Sequence, residues 1–211
     1  MRTLSIFVLF LVAAPLAHAK EPLWNERSSS ARALAQVPDF AALAKQVGVS
    51  EAALYRHFPS KARMFEALIE FIEDTIFGLI NRILEQHSNA QDRCQHILAM
   101  LLGFSAKNPG LSRILVGDAL TGENDRLRVR ISQFYNRLET QLKQILREAE
   151  SKNELPVGHP SAAIANLLLA LCEGRMNQFV RSGFQHAPLE RWEQQWSLLA
   201  PSLFPFTTTP G

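Results

Sequence analysis

Apolar residues recur with helical spacing along most of the chain after residue 38. Within segment 61–86 they fall three or four positions apart and form one broad stripe, as in a helix that buries one face. The stripe consists of Met64, Phe65, Leu68, Ile69, Ile72, Ile76, Leu79, Ile80 and Ile83. The sequence has no sustained alternation of period two and no Asn-Gly hairpin signal. The pattern therefore predicts an all-α fold, with helices over 39–47, 51–57, 61–86, 90–106, 110–118, 124–153, 160–182 and 188–203.

Helix length and polarity divide the chain into four predicted parts. Residues 1–38 form a weakly patterned segment and linker, and residues 39–65 form a small two-helix module. Longer and more apolar helices make up a body over 66–204, and a frayed tail follows at 205–211. We expect the helix over 61–86 to connect the small module to the body.

Residues 1–19 have the pattern of a cleavable signal peptide. Arg2 precedes an apolar run over 4–14, and Ala17-His18-Ala19 has the small-x-small form of a cleavage site. A working signal would carry the chain away from DNA, which conflicts with the DNA-binding motif described below. Three explanations stay open: a shifted start of the reading frame, which we favour, a domain fusion, or an apolar segment that stays in the cytoplasm.

Composition indicates a folded protein without catalytic chemistry. The 211 residues are 47% hydrophobic and 20% charged, and the net charge of +2 means that attraction to a polyanion must come from local clustering. Cys94 and Cys172 are far apart and fit neither a disulfide framework nor a zinc site. The nearby Cys94 and His96 do not share a helix face, and the histidines form no set with a nucleophile. We therefore predict no enzyme, no cofactor and no metal.

The stretch FAALAKQVGVSEAALYRHF has the spacing of a helix-turn-helix. A small residue, Ala44, stands where the two helices approach each other, and Gly48 follows at the turn, where a left-handed backbone is least costly for glycine. Ser50 is a favourable cap for the second helix. A small apolar core is completed by Leu43, Val47, Val49, Leu54 and Phe58. These independent requirements, met at fixed offsets, predict a DNA-binding module.

The second helix of this module carries the candidate DNA contacts. The predicted DNA-binding residues are Ser50, Glu51, Ala52, Tyr55, Arg56, His57 and Lys61. The first three lie nearest the base edges, whereas Tyr55, His57 and Lys61 follow on the side that would face phosphates. Over 39–65, four basic residues oppose two acidic ones, a local charge of +2. The alternative is an ordinary helical hairpin, but such a hairpin does not explain why aromatic and basic residues cluster here.

The stretch VGVSEAALYRHFPSKARMF resembles the DNA-binding signature of TetR-family regulators, including Tyr-x-His-Phe and the following Ser-Lys. Three stretches of the body resemble one branch of that family, the nucleoid occlusion factors. They are LLGFSAKNPGLSRILVGDAL, NDRLRVRISQFYNRLETQLKQILRE and LLLALCEGRMNQFVRSGF. The likeness runs from about Phe40 to Phe184, and TetR proteins usually diverge in the body, so similarity there is the more specific signal.

The resemblance implies a TetR-like fold and a function in cell division. Proteins of this branch bind chromosomal DNA sites as dimers and, on DNA, antagonise polymerisation of the division protein FtsZ, so that no septum forms over the nucleoid. The implication is a cytoplasmic, nucleoid-associated protein without a membrane span. The resemblance places FtsZ contacts at Phe71, Leu102, Gly103, Lys107 and Asn108. Phe71 could equally be a core residue, and Lys107-Asn108 could equally be a solvated helix end.

The segment SAAIANLLLALCEGRMNQFVRSGF is apolar nearly all round. Such a helix must be covered, and Ala165, Ala170 and Gly174 are small enough for close packing. In TetR folds the last two long helices pair with those of a second subunit, which implies a two-fold homodimer. The alternative is a central core helix of a monomer.

The beginning of the chain departs from the family pattern. The first helix of the family, which supports the helix-turn-helix, is replaced here by the signal-like segment and a short linker, so we expect weakened specific DNA binding. Two other functions stay open. One is a ligand-responsive TetR repressor with a pocket lined by Phe104, Leu115, Phe134 and Leu168, and the other is an exported helical protein without a DNA role.

Overall fold

The computed structural model describes residues 60–123, 125–152, 154–156, 158 and 160–204. This part of the chain is helical, without strands. Its elements are α1 (Lys61–Gln86), α2 (Ala90–Lys107), α3 (Pro109–Leu115), a 3-10 helix (Asp118–Leu120), α4 (Asp125–Ser151), α5 (Ser161–Arg181) and α6 (Trp192–Leu203). The all-α fold is confirmed. The predicted helices 39–47 and 51–57, the signal-like segment and the tail at 205–211 lie outside the described residues.

The helix predicted over 61–86 is confirmed from end to end as α1. Its stripe is buried, except that Leu79 and Ile83 are half-buried. Gly78 does not interrupt the helix, and it faces open space rather than a packed neighbour. The 3.6-residue period was therefore a sufficient signal for this element.

The predicted bounds of two helices differ from the structure by three or four residues, whereas those of the helices over 90–106, 124–153 and 160–182 differ by one or two. The helix expected over 110–118 ends at Leu115, because Gly117 adopts φ of 81°, which an α-helix cannot continue. The helix expected over 188–203 begins only at Trp192, since Arg191 before it has φ of 59°. In both cases a left-handed residue sets the boundary, and apolar spacing does not report it.

The contacts divide the chain into two compact units, of which the first comprises Met1–Asp74 and Pro109–Arg130. In its described residues, the N-terminal half of α1 supplies a buried face, and so do α3, the 3-10 helix and the start of α4. The core residues are Met64, Phe65, Leu68, Ile69, Ile72, Leu111, Ile114, Leu115, Ala119, Leu120 and Leu127. The boundary predicted at residue 65 stays a prediction.

The second unit comprises Thr75–Asn108 and Ile131–Gly211. Here α2 packs against α5 and also contacts α6. Phe77 meets Phe134 edge to face with ring centroids 5.8 Å apart, and Trp192 lies 5.6 Å from Trp196. Large side chains from α1, α2, α4, α5 and α6 are thus buried in one core.

Both cysteines are free and fully buried in the second unit. Burial raises the pKa of the Cys94 thiol to about 12, and burial likewise raises the pKa of Cys172. The Cys172 thiol donates to the carbonyl of Leu98 over 3.9 Å. A thiolate is the reactive form, so both groups behave as small core residues.

None of the helices in the described ranges is long and apolar enough to cross a membrane.

Candidate DNA-facing and partner-facing surfaces

Of the seven predicted DNA contacts, Lys61 lies within the described residues, and the six over 50–57 lie outside them. Lys61 is the first residue of α1. The hydroxyl of Ser60 caps this helix by accepting a hydrogen bond from the Arg63 amide at 3.3 Å, and the Met64 amide donates to the Ser60 carbonyl at 3.1 Å. The Ser-Lys pair that belongs to the motif therefore builds a capped helix start.

The ammonium of Lys61 pairs with a carboxylate that the sequence did not indicate. Its Nζ lies 2.6 Å from Oε1 of Glu123, and the two side chains are 35% and 17% exposed. The same ammonium lies 5.7 Å from the centroid of the Phe65 ring. Glu123 is held by a turn in which Gly122 has φ of 80° and the Glu123 amide donates to the Leu120 carbonyl at 3.1 Å. The pair therefore joins the start of α1 to the turn before α4 within the first unit.

A second set of ion pairs links α1 to α4 in the same unit. On α1, Oε2 of Glu66 lies 2.8 Å from Nη1 of Arg63 in the same helix. Oε1 of Glu66 lies 4.0 Å from Nε of Arg126 on α4. Arg130 donates to a carboxylate oxygen of Glu73 at 2.7 Å and to the Glu66 carbonyl at 3.3 Å. The hydrogen bond to Glu73 raises the pKa of Arg130, so its guanidinium stays charged. These bonds fix the first turns of α4 against α1.

The first predicted FtsZ contact, Phe71, is half-buried on α1, in the first unit. The neighbouring Glu70 and Asp74 are exposed. The side chain is thus neither a full core residue nor a free surface residue, and part of its ring is accessible to a partner.

The other predicted FtsZ contacts lie on α2, in the second unit. Leu102 is fully buried, whereas Lys107 is exposed at the helix end. Gly103 is half-buried, and a Cβ at that position would lie 3.5 Å from Leu189. Asn108 caps the C-terminal end of α2. Its backbone amide donates to the Ser105 carbonyl at 3.1 Å, and its side-chain amide donates to the Phe104 carbonyl at 2.7 Å. Lys107 is therefore the member of this set that a partner reaches without rearrangement.

The predicted dimer face of α5 is divided between core and surface. Ala165 is fully buried inside its own unit, so it does not belong to an outer face. Ala170 and Gly174 are exposed, and Leu167 beside them is 50% exposed. Leu198 on α6 is 79% exposed, the largest value among the large hydrophobic residues of the described ranges. Small and apolar residues thus remain uncovered on the last two long helices.

Arg175 fixes the segment between these two helices. Its guanidinium donates to the Pro188 carbonyl at 2.6 Å, to the side-chain oxygen of Gln195 at 2.7 Å and to the carbonyl of Glu190. The segment contains a non-glycine left-handed residue, Phe184, with φ of 67°. Sequence reasoning missed Arg175, because its partners are mostly backbone atoms that no motif reports.

The pocket residues of the ligand-responsive alternative do not lie in one unit. Leu115 is buried in the first unit. In the second unit, Phe134 and Leu168 are buried and Phe104 is half-buried. That alternative stays a prediction.

Comparison with known protein families and structures identifies the class. Residues 39–68, which include the predicted helix-turn-helix, match the family model of bacterial regulatory proteins of the tetR family, and residues 88–203 match the SlmA-like tetracyclin repressor-like C-terminal domain. Among solved structures, the MbdR regulator from Azoarcus has a TM-score of 0.69 at 16% identity, covering 92% of this chain and 96% of that one. A TetR regulator from Chloroflexus aurantiacus has a TM-score of 0.68 at 16% identity, covering 97% and 99%. Fold and motif together define a TetR-family regulator, a class of DNA-binding proteins and not of enzymes.

The curated relatives identify the branch. A nucleoid occlusion factor SlmA from a Marinomonas species is 56% identical over 77% of this chain and 83% of its own length. The SlmA of Shewanella frigidimarina is 49% identical over 88% of this chain and 98% of its own length. The chain belongs to the nucleoid occlusion factor SlmA family. The Shewanella match is longer than the segment from Phe40 to the last residue, so it includes part of the sequence before Phe40.

Proposed function

We propose that the chain is a sequence-specific DNA-binding nucleoid occlusion factor. Bound to chromosomal sites as a homodimer, it antagonises FtsZ polymerisation and blocks septum formation over the nucleoid. The observation that carries the proposal is the similarity to proteins named nucleoid occlusion factor SlmA, at 49% identity over 98% of one relative's length. Such a protein acts in the cytoplasm, in association with the nucleoid.

The DNA contacts proposed are the seven residues of the sequence motif, and Lys61 is the one with structural support. It opens a capped helix, and its side chain is 35% exposed. A helix start attracts anions through its free backbone N–H groups, and a lysine there adds a full positive charge. These are the properties of a phosphate contact, which fixes orientation on DNA without reading sequence.

Lys61→Ala and Tyr55→Ala are each expected to weaken binding to operator and non-operator DNA alike, by about three- to tenfold at physiological salt. The slope of log affinity against log salt should fall by about 1 for Lys61→Ala, which removes a cation, and stay unchanged for Tyr55→Ala, because a tyrosine neutralises no phosphate. Fluorescence anisotropy with labelled duplexes at several salt concentrations measures both quantities. Lys152→Ala, which removes an exposed lysine near the end of α4, is the matched control and should leave binding unchanged.

If neither variant changes binding, the proposed docking of this module is wrong. If the weakening is confined to the operator, Lys61 and Tyr55 read bases and not phosphates.

FtsZ antagonism is proposed to use exposed groups near Phe71 on α1 and near Lys107 on α2. The half-buried Phe71 offers an aromatic anchor, and Lys107 offers a solvated charge. Leu102 and Asn108 contribute through the shape of α2, since the first is buried and the second closes the helix. A substitution of Asn108 is a poor test of FtsZ contact, because it would also remove the cap of α2.

Lys107→Glu is expected to raise the concentration of DNA-bound protein needed to disassemble FtsZ polymers by about tenfold, as when one strong interaction is removed from an interface. DNA affinity should stay the same, because the substitution lies outside the helix-turn-helix module. Sedimentation of FtsZ polymers in the presence of operator DNA measures the effect. Lys152→Glu gives the same charge reversal at an exposed position directly after α4 and should behave like the unaltered chain. Equal effects of both reversals would mean that overall charge, and not this surface, is responsible.

A further inference from the structure

The first turn of α1 concentrates positive charge without an acidic residue of its own. It contains Lys61 and Arg63, and none of its residues is Asp or Glu. The helix dipole places additional partial positive charge at the same end, which makes two cations there unfavourable in the absence of an anion. An anion beside this helix start is therefore stabilising in the free protein.

That anion comes from elsewhere in the first unit. Glu123 places a carboxylate oxygen 2.6 Å from the Lys61 ammonium, and its side chain is only 17% exposed. The turn at Gly122 and the hydrogen bond from the Glu123 amide to the Leu120 carbonyl fix the backbone of Glu123 at this position. The carboxylate thus contacts the same ammonium that a phosphate oxygen would contact.

Three other acidic side chains of the unit have arginine partners. Glu66 pairs with Arg63 and Arg126, and Glu73 pairs with Arg130. Asp118 pairs with Arg113. Because Glu123 is the partner of Lys61 and not of an arginine, its removal changes the charge seen by Lys61 and leaves these arginine pairs in place.

We propose that Glu123 is an internal competitor of the DNA phosphate for Lys61. The inference rests on the proposed DNA-binding function, and it adds a residue outside the helix-turn-helix that sets how strongly the protein holds the DNA backbone. In the free protein Lys61 is neutralised by Glu123. On DNA the ammonium exchanges this partner for a phosphate, so a part of the binding energy is used to break the pair. Because phosphates carry no sequence information, the competition lowers affinity for all DNA sequences equally.

Glu123→Gln in the full chain keeps the shape of the side chain and removes its charge. Affinity for labelled operator and non-operator duplexes should rise by about two- to fivefold for each Lys61 that reaches a phosphate, the range expected for one partly exposed ion pair. In a Lys61→Ala background the same substitution should change affinity by less than about twofold, since the competing ammonium is gone. Asp118→Asn removes one negative charge from the neighbouring 3-10 helix and is the control for a general charge effect. Circular dichroism melting verifies that each variant folds. Glu123→Asp is a second variant: its shorter side chain keeps the charge but places it farther from Lys61, so we expect an intermediate gain in DNA affinity.

Weaker or unchanged binding of Glu123→Gln overturns the competition, as does an equal gain in the Lys61→Ala background or with Asp118→Asn. Weaker binding would instead identify Glu123 as a residue that positions Lys61. Failure of the proposed function gives a different result. In that case the unaltered chain does not bind DNA, or Lys61→Ala leaves its DNA affinity unchanged, and either result also overturns the proposed competition.

Discussion

A chain carrying Leu167→Glu is expected to elute as a monomer of 23.7 kDa and to bind operator DNA about 100-fold more weakly than the unaltered chain, which we propose to be a dimer. Leu167 lies beside the exposed small residues of α5 and is 50% exposed in the single chain. A two-fold interface repeats each substitution, so one change buries two unpaired carboxylates. A monomer also loses the second half-site, and with it the gain from bivalent binding.

Val129→Glu is the matched control, because Val129 is 54% exposed on α4, outside the last two long helices. It should remain dimeric with unchanged DNA affinity, as measured by size-exclusion chromatography with light scattering and by anisotropy. Leu198→Glu repeats the test on α6. A dimer that survives both substitutions on α5 and α6 would mean that these helices are not the interface.

Arg175→Ala is expected to lower the free energy of unfolding by about 2–4 kcal/mol, because three hydrogen bonds from a charged donor are removed together. The Pro188 carbonyl and the Gln195 side chain lose their partner, and the segment before α6 is then free to move. For a chain of this size the midpoint of thermal unfolding should fall by about 4–16 °C.

Arg181→Ala is the comparison for this result, since Arg181 is exposed in the last turn of the same helix. It should cost no more than about 0.5 kcal/mol in urea unfolding, as is usual for a surface position. Arg175→Lys tests the geometry, because a lysine cannot reach three acceptors with a planar fork. If Arg175→Ala is no less stable than Arg181→Ala, the three bonds contribute nothing to stability.

The sequence was sufficient for elements whose signal is local. The stripe of α1 repeats over many turns, so both its ends were predicted correctly. The predicted start of α6 was wrong. Pro188 and Leu189 continue the apolar pattern, but the helix begins only after Arg191, whose backbone is left-handed. Periodicity reports which positions are apolar, and it does not report the backbone angle at which a helix stops.

Long-range partners could not be predicted from spacing. Nothing near Lys61 in the sequence points to Glu123, which a turn brings back to the start of α1. Ala165 and Ala170 look equivalent in the sequence, yet the first is buried in its own unit and the second is exposed. An apolar helix face can be covered by its own chain or by another one, and the same residues serve for both.

The two desolvated thiols have a practical consequence for experiments on this protein. Cys94 and Cys172 are the only cysteines of the chain, and both are buried with raised pKa values. At neutral pH neither presents a thiolate to a maleimide dye or to a spin label. A single cysteine introduced on the surface therefore provides a selective labelling site in the otherwise natural sequence, so that distances in the DNA complex become accessible without first removing native residues.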